Sequence, residues 1–180
     1  MKVWKIIASI MVSVLAWAFL TRTPILRAQD EGETVANLQG SWVANATPNP
    51  LFLCGGPEIA PAGPPFTELI SYAAGGTLTE TNTIVYFNSA GVVPGLPFDG
   101  SDGHGAWERE ATGYQATFRK LLFDGKGVYV ANADIKEKIT VSSSDRNKLS
   151  ADFTVKFNFL NGAPSVCSSG TLVAKRMAAD

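Results

Sequence analysis

Histidine and cysteine are scarce in this chain of 180 residues, which has one histidine, His104, and two cysteines, Cys54 and Cys167. No cysteine or second histidine lies near His104 in sequence, and the acids around it do not have the spacing of a calcium-binding loop. Ser168 and Ser169 have no neighbouring base that could activate a hydroxyl as a nucleophile. The sequence therefore predicts no metal site and no cofactor.

The N-terminus is the only part of the chain that reads as a targeting segment. Ile6 to Leu20 is a run of 15 residues without charge, preceded by Lys5 and followed by Leu26-Arg27-Ala28. A membrane-spanning helix needs about 20 apolar residues, so this run favours a cleaved signal peptide over an anchor. We expect cleavage after Ala28, with Ala16-Trp17-Ala18 as the alternative site, and export to the periplasm or the exterior.

An excess of positive charge is also missing. Residues 1–28 contain four of the 15 basic residues and no acid, so the exported chain would have 11 basic and 16 acidic residues, a formal net charge of −5. Phosphate backbones and anionic lipid surfaces are poor partners for such a charge. We expect no nucleic-acid partner and no stable membrane insertion after cleavage.

The two cysteines are expected to pair, because exported proteins occupy compartments in which disulfides persist and neither cysteine lies in a redox motif. A Cys54–Cys167 bond would close a long loop, which the chain-entropy model values at about 4–5 kcal/mol. The alternative is a pair of buried thiols.

Helical periodicity is absent over any segment of ten or more residues, and alternation between apolar and polar residues replaces it. Phe153, Val155, Phe157 and Phe159 share one face of a predicted strand. Val128–Val141 alternates in the same way, so these two segments predict a hairpin. The predicted strands are Leu38–Ala46, Phe66–Ala73, Thr77–Phe87, Gly105–Glu110, Tyr114–Phe123, Val128–Val141, Leu149–Leu160 and Cys167–Met177.

The connections are predicted from turn chemistry. Ala74-Gly75-Gly76 is short enough to require an antiparallel hairpin. Thr47–Pro65 and Asn88–His104 are rich in turn residues and are predicted as long loops, with residues 99–105 as a flexible, solvated segment.

Sequential antiparallel strands, each with one apolar side, can bury that side by closing into an up-and-down barrel. Closure would bring the end of the first strand, near Cys54, beside the start of the last strand at Cys167. It would also bring Trp42 beside Arg176 for cation–π stacking. The sequence thus predicts an all-β fold, a single closed eight-stranded antiparallel β-barrel at residues 38–177, between a flexible segment at 29–37 and a tail at 178–180. An immunoglobulin-like sandwich is the alternative.

Two short motifs carry a resemblance to known barrels. Gly40-Ser41-Trp42 with Arg176 resembles the lipocalin and wider calycin group, in which an arginine near the end of the domain packs across the tryptophan of the first strand. Gly75-Gly76 and Gly105-Ala106-Trp107 resemble the allene oxide cyclase type of barrel, including dirigent-like proteins. The first resemblance implies that Gly40, Trp42 and Arg176 close one end of the barrel.

Carboxylates on apolar faces are the candidate functional groups. Glu137 lies between Ile135 and Ile139 on the inward face of its strand, and Glu68 shares a face with Tyr72. An apolar environment raises the pKa of a carboxyl group, which can then act as a general acid or base or recognise a polar group of a ligand. Alternatively, a bulge or a wet barrel mouth would leave both acids solvated.

We therefore predict a binder of a small apolar or amphipathic molecule, since an eight-stranded barrel can hold one such ligand. The alternatives are a structural or protein-interaction module of the cell envelope and an isomerase or cyclase resembling allene oxide cyclase. The residues predicted to line the lumen are Tyr72, Trp107, Tyr129, Ile135, Glu137, Phe153, Val155 and Phe157.

Overall fold

The computed structural model describes residues 37–83, 99–124 and 126–178. The predicted signal peptide, residues 29–36 and the last residues of the predicted third strand lie outside these ranges. Within them all regular structure is β. The strands are β1 Gly40–Pro48, β2 Leu51–Leu53, β3 Glu58–Ala60, β4 Phe66–Tyr72, β5 Thr77–Asn82, β6 Asp99–Gly100, β7 Gly103–Glu110, β8 Gly113–Phe123, β9 Tyr129–Val141, β10 Lys148–Phe159 and β11 Val166–Arg176.

The sheet closes on itself. Eight strands follow one another around the barrel in the order β1, β4, β5, β7, β8, β9, β10 and β11, and β11 pairs again with β1. All of these pairs are antiparallel. The predicted up-and-down barrel is therefore confirmed, and the alternative sandwich is not observed.

Alternation explains why these segments form a barrel. In β8, the buried Tyr114, Ala116, Phe118, Lys120 and Leu122 alternate with residues that face outward. The same period of two recurs in β9 and β10. One face of each strand is therefore removed from water, and the inward side chains form one continuous core.

One end of the barrel, here called the Trp42 end, is closed by a stacked pair. Trp42 lies opposite Arg176 in the β1–β11 register, and the guanidinium carbon is 4.2 Å from the indole centroid. The Trp42 indole N–H donates to the carbonyl of Leu38 at 2.9 Å, and Arg176 donates to the carbonyl of Gln39. Gly40 has φ +121°, and a Cβ there would lie 2.7 Å from the Arg176 Nη1. Gly40, Trp42 and Arg176 thus lie together at this end of the barrel.

The opposite end, here called the disulfide end, is tied by the predicted Cys54–Cys167 bond, with the two Cα atoms 5.0 Å apart. Thr47–Pro65 is more ordered than predicted. It contains β2 and β3, and Phe52 of β2 pairs with Cys167 of β11. These strands are too short to show a period in sequence, which is why the prediction missed them.

The prediction of a flexible loop at residues 99–105 is wrong. β6 pairs with β8, and β7 begins at Gly103. His104 is an exposed residue of β7 that lies opposite Arg119 of β8. Glycine and aspartate suggested a turn, but tertiary pairing with long neighbouring strands overrides local propensity.

Tyr129 also departs from the prediction. A bulge in the β8–β9 pairing places Leu122 opposite Ala131 but Phe123 opposite Tyr129. The extra residue reverses the facing of Tyr129, which is 37% exposed and packs against Phe123 instead of lining the lumen.

No helix in the described part of the chain has the length and hydropathy needed to cross a membrane.

Candidate functional site: a buried polar cluster in the barrel

A group of polar side chains from four strands lies inside the described part of the barrel. β4 contributes Glu68 and Tyr72, β5 contributes Glu80, β8 contributes Lys120 and β9 contributes Glu137. The four charged residues are between 1% and 8% exposed, and Tyr72 is 2% exposed. We call these five residues the lumen cluster. Both glutamates singled out from the sequence are therefore buried, and the solvated alternative does not hold.

Each carboxyl group of the lumen cluster lies beside a small residue on a neighbouring strand. In the strand registers, Glu68 lies opposite Ala44 and Glu137 lies opposite Ala116. Glu80 lies opposite Gly103, where an added Cβ would come within 2.8 Å of the Glu80 Oε2. The sequence thus makes room for the acids by placing alanine or glycine next to them.

The side chains of the lumen cluster differ in whether they have an ion-pair or hydrogen-bond partner. The Lys120 Nζ lies 2.9 Å from the Glu80 Oε2 and 3.3 Å from its Oε1, where it donates a hydrogen bond. The Tyr72 hydroxyl donates to the Glu137 Oε2 at 3.0 Å. The Glu68 Oε2 is buried, and no hydrogen-bond donor reaches it from the described residues. The Glu80 Oε2 also accepts no hydrogen bond but lies against the Lys120 ammonium group, so Glu68 is the acid of the cluster whose unpartnered oxygen has no counter-charge beside it.

Burial dominates the protonation of these groups. It raises the pKa of Glu68 to about 8, with Glu80 and Glu137 adding to the effect and Lys120 opposing it. It raises the pKa of Glu137 to about 7, against the hydrogen bond from Tyr72. The pKa of Glu80 is also raised by burial, with Lys120 lowering it. At neutral pH, Glu68 is therefore mostly protonated.

Aromatic rings support the cluster from the Trp42 end. Trp107 makes edge-to-face contacts with Tyr72 and Tyr114, at centroid distances of 6.2 and 5.6 Å. Its indole N–H donates to the carbonyl of Ala73 at 3.0 Å. Burial and these contacts fix the ring of Tyr72, whose pKa is raised well above its ordinary value, mainly by desolvation. Tyr72 thus remains a hydrogen-bond donor toward Glu137.

The disulfide end is apolar, and more of its hydrophobic side chains are partly exposed than at the Trp42 end. Several hydrophobic side chains there are only partly buried and pack against the core. We call this set the apolar rim: Leu51, Leu53, Ile59, Phe66, Val155 and Phe159. Glu68 lies two residues from Phe66 along β4, so the open acid is near the rim.

Comparison with known proteins adds no identity: no protein-family model matches the chain, and no curated protein is significantly similar to it. Function has to be argued from the site.

Most of the predicted lining residues face the lumen. Tyr72, Trp107, Ile135, Glu137, Phe153 and Phe157 are buried and Val155 is partly buried, whereas Tyr129 is outside, as described above. Prediction missed Glu80 and Lys120. The signal was available, because Glu80 follows Leu78 at the inward spacing and Lys120 lies between Phe118 and Leu122, as Glu137 lies between two isoleucines.

The arrangement can accept hydrogen bonds, hold a positive charge or exchange a proton at Glu68 or Glu137. Across residues 37–83, 99–124 and 126–178, no group of three or more histidine, cysteine, aspartate or glutamate side chains is placed to hold a metal ion.

Proposed function

We propose that this chain is an exported, calycin-like β-barrel protein that binds a small amphipathic molecule at the disulfide end of its lumen. The observation that carries the proposal is the Glu68 Oε2, a buried acceptor that receives no hydrogen bond from the described residues and lies beneath the apolar rim. A buried acceptor without a donor costs about 1–3 kcal/mol. A ligand with a polar head and an apolar body would remove this cost and cover the rim.

Export is supported by two features. The first 28 residues have the composition of a signal peptide. The Cys54–Cys167 disulfide is consistent with an oxidising compartment. The calycin-like assignment is supported by the closed barrel and by the stacking of Arg176 on Trp42.

A fluorescent probe tests the binding proposal. N-phenyl-1-naphthylamine is uncharged at neutral pH and brightens in apolar sites, so its fluorescence should rise saturably when it is titrated with the purified exported protein. Val155→Trp places a large ring on the apolar rim and should weaken binding at least about tenfold, equal to 1.4 kcal/mol. Val173→Trp, at a position 60% exposed on β11, is the matched control and should bind as the wild type does.

Absence of saturable binding would reject the proposal, as would equal weakening by both variants. The result would then favour a structural module of the cell envelope. That alternative has its own support, because the inward side chains toward the Trp42 end, such as Ile70, Ile139 and Leu172, are at most 2% exposed and fill that part of the barrel themselves.

A further inference from the structure

Inside the described part of the barrel, acidic groups outnumber basic groups. Among the described residues, the lumen cluster contains three carboxyl groups and one ammonium group. Lys120 is committed to Glu80, and Glu137 is engaged by the hydroxyl of Tyr72. Glu68 therefore has no counter-charge of its own, and it interacts with two like charges, Glu80 and Glu137, and with one opposite charge, Lys120.

Glu68 is also the acid best placed to meet a ligand. β4 begins at Phe66 on the apolar rim and runs toward the Trp42 end, so Glu68 precedes Tyr72 on the path inward. Its neighbours in the strand registers are Ala44 and Asn82, neither of which is charged. A ligand head entering past the rim along β4 would meet Glu68 before Tyr72 and its partner Glu137.

A cation at this position would be attracted by Glu68, Glu80 and Glu137 and repelled by Lys120 alone. An anionic head would be repelled by the three carboxylates and attracted by Lys120 alone. A neutral hydroxyl would gain one hydrogen bond to Glu68 without the charge interaction. We propose that the lumen binds small amphipathic amines, with the ammonium group of the ligand paired to the Glu68 carboxylate. This inference rests on the ligand-binding function proposed above.

The proposal predicts a proton linkage. Without ligand, Glu68 has a pKa of about 8, so an ammonium ligand must displace a proton from it at neutral pH. Alkylammonium groups stay charged, like lysine, up to about pH 10. Affinity should therefore rise by up to about tenfold per pH unit between pH 6 and pH 8 and level off above that range. Glu80 and Lys120, which lie on β5 and β8, form an ion pair with each other, while Glu137 on β9, whose pKa is raised to about 7, adds to the rise.

A matched series of head groups tests the inference. Octylamine, octanol and octanoate share one chain length and differ in charge. Isothermal titration of the exported protein at pH 7.5 should show octylamine binding at least about tenfold more tightly than octanol, with octanoate weakest. Glu68→Gln keeps the shape and removes the charge, so it should abolish the preference for the amine and leave only the weaker pH dependence that Glu137 supplies. Glu108→Gln, at an exposed position of β7, should change neither.

The outcomes separate the two proposals. If N-phenyl-1-naphthylamine binds but octylamine binds no better than octanol, the amine assignment is wrong and the ligand-binding function stands. The assignment is also overturned if Glu68→Gln retains the amine preference, provided that its near-ultraviolet circular dichroism shows a native fold. If neither the probe nor any of the three compounds binds, both proposals fail.

Discussion

The buried ion pair between Lys120 and Glu80 should make a large contribution to stability when it is broken from one side. The Lys120 side chain is 4% exposed and the Glu80 side chain is 1% exposed, with 2.9 Å between Nζ and Oε2. Removing one partner from such a pair leaves a buried charge without compensation, which costs about 3–5 kcal/mol. We expect Lys120→Met to lose this amount in urea unfolding at pH 7.5 with the disulfide intact.

The loss should depend on pH. In the variant, the pKa of Glu80 in the folded state rises further above its value in the unfolded chain, because the attraction of Lys120 is gone. The folded variant then binds more protons than the unfolded chain, so its free energy of unfolding falls as pH rises from about 4.5 upward. Unfolding at pH 5 should therefore show a smaller deficit than unfolding at pH 7.5.

Two further variants make the test decisive. Lys120→Met combined with Glu80→Gln removes both charges and should recover much of the stability. Lys148→Met, which breaks the exposed pair with Asp145, is the control and should have a much smaller effect. A loss below about 1 kcal/mol for Lys120→Met at both pH values would refute the reasoning, since a broken buried pair costs several times more.

Three other measurements follow from the structure. The folded-state pKa of Glu68, about 8, lies above its ordinary value of 4.5, so the wild-type free energy of unfolding should fall as pH rises between these values. Glu68→Gln should flatten the fall, and an unchanged profile would contradict the assignment. Gly170→Ala would place a Cβ 2.4 Å from both the ring of Phe153 and the carbonyl oxygen of Thr47, so thermal or urea unfolding should show a loss of about 1–3 kcal/mol, and a neutral result would show that both the ring and the β1 backbone can move. Replacing both Cys54 and Cys167 by serine should lower the free energy of unfolding by about 2–5 kcal/mol, whereas undiminished stability would show that the bond is dispensable.

Much of the barrel could be predicted because its long strands carry a strict alternation. β9 and β10 show the period of two over more than ten residues, and their hairpin follows from it. Closure could be predicted from two distant pairs, because only a ring of strands brings the first and last strands together at both of their ends. The shortest strands, β2, β3 and β6, have two or three residues and leave no such pattern.

The site was harder to predict than the fold. Glu137 interrupts an obvious apolar face, but Glu80 lies in the polar stretch Thr79 to Asn82, where its spacing from Leu78 is a weaker signal of its inward facing. The position of Tyr129 depends on one unpaired residue in the β8–β9 ladder. A single bulge leaves no clear trace in composition, yet it reverses which side of the sheet a residue occupies.

The pairing of β1 with β11 has a consequence for how the protein is made. Residues Trp42 to Pro48 find their second set of backbone partners only in the last strand, so this edge stays unsatisfied until the C-terminal segment has been synthesised. A nascent chain therefore cannot complete the hydrogen bonding of this edge before translation is nearly finished. Loss of β11 by premature termination would leave β1 and β10 with unpaired edges and Cys54 without its disulfide partner. Unpaired strand edges and a free thiol favour intermolecular association.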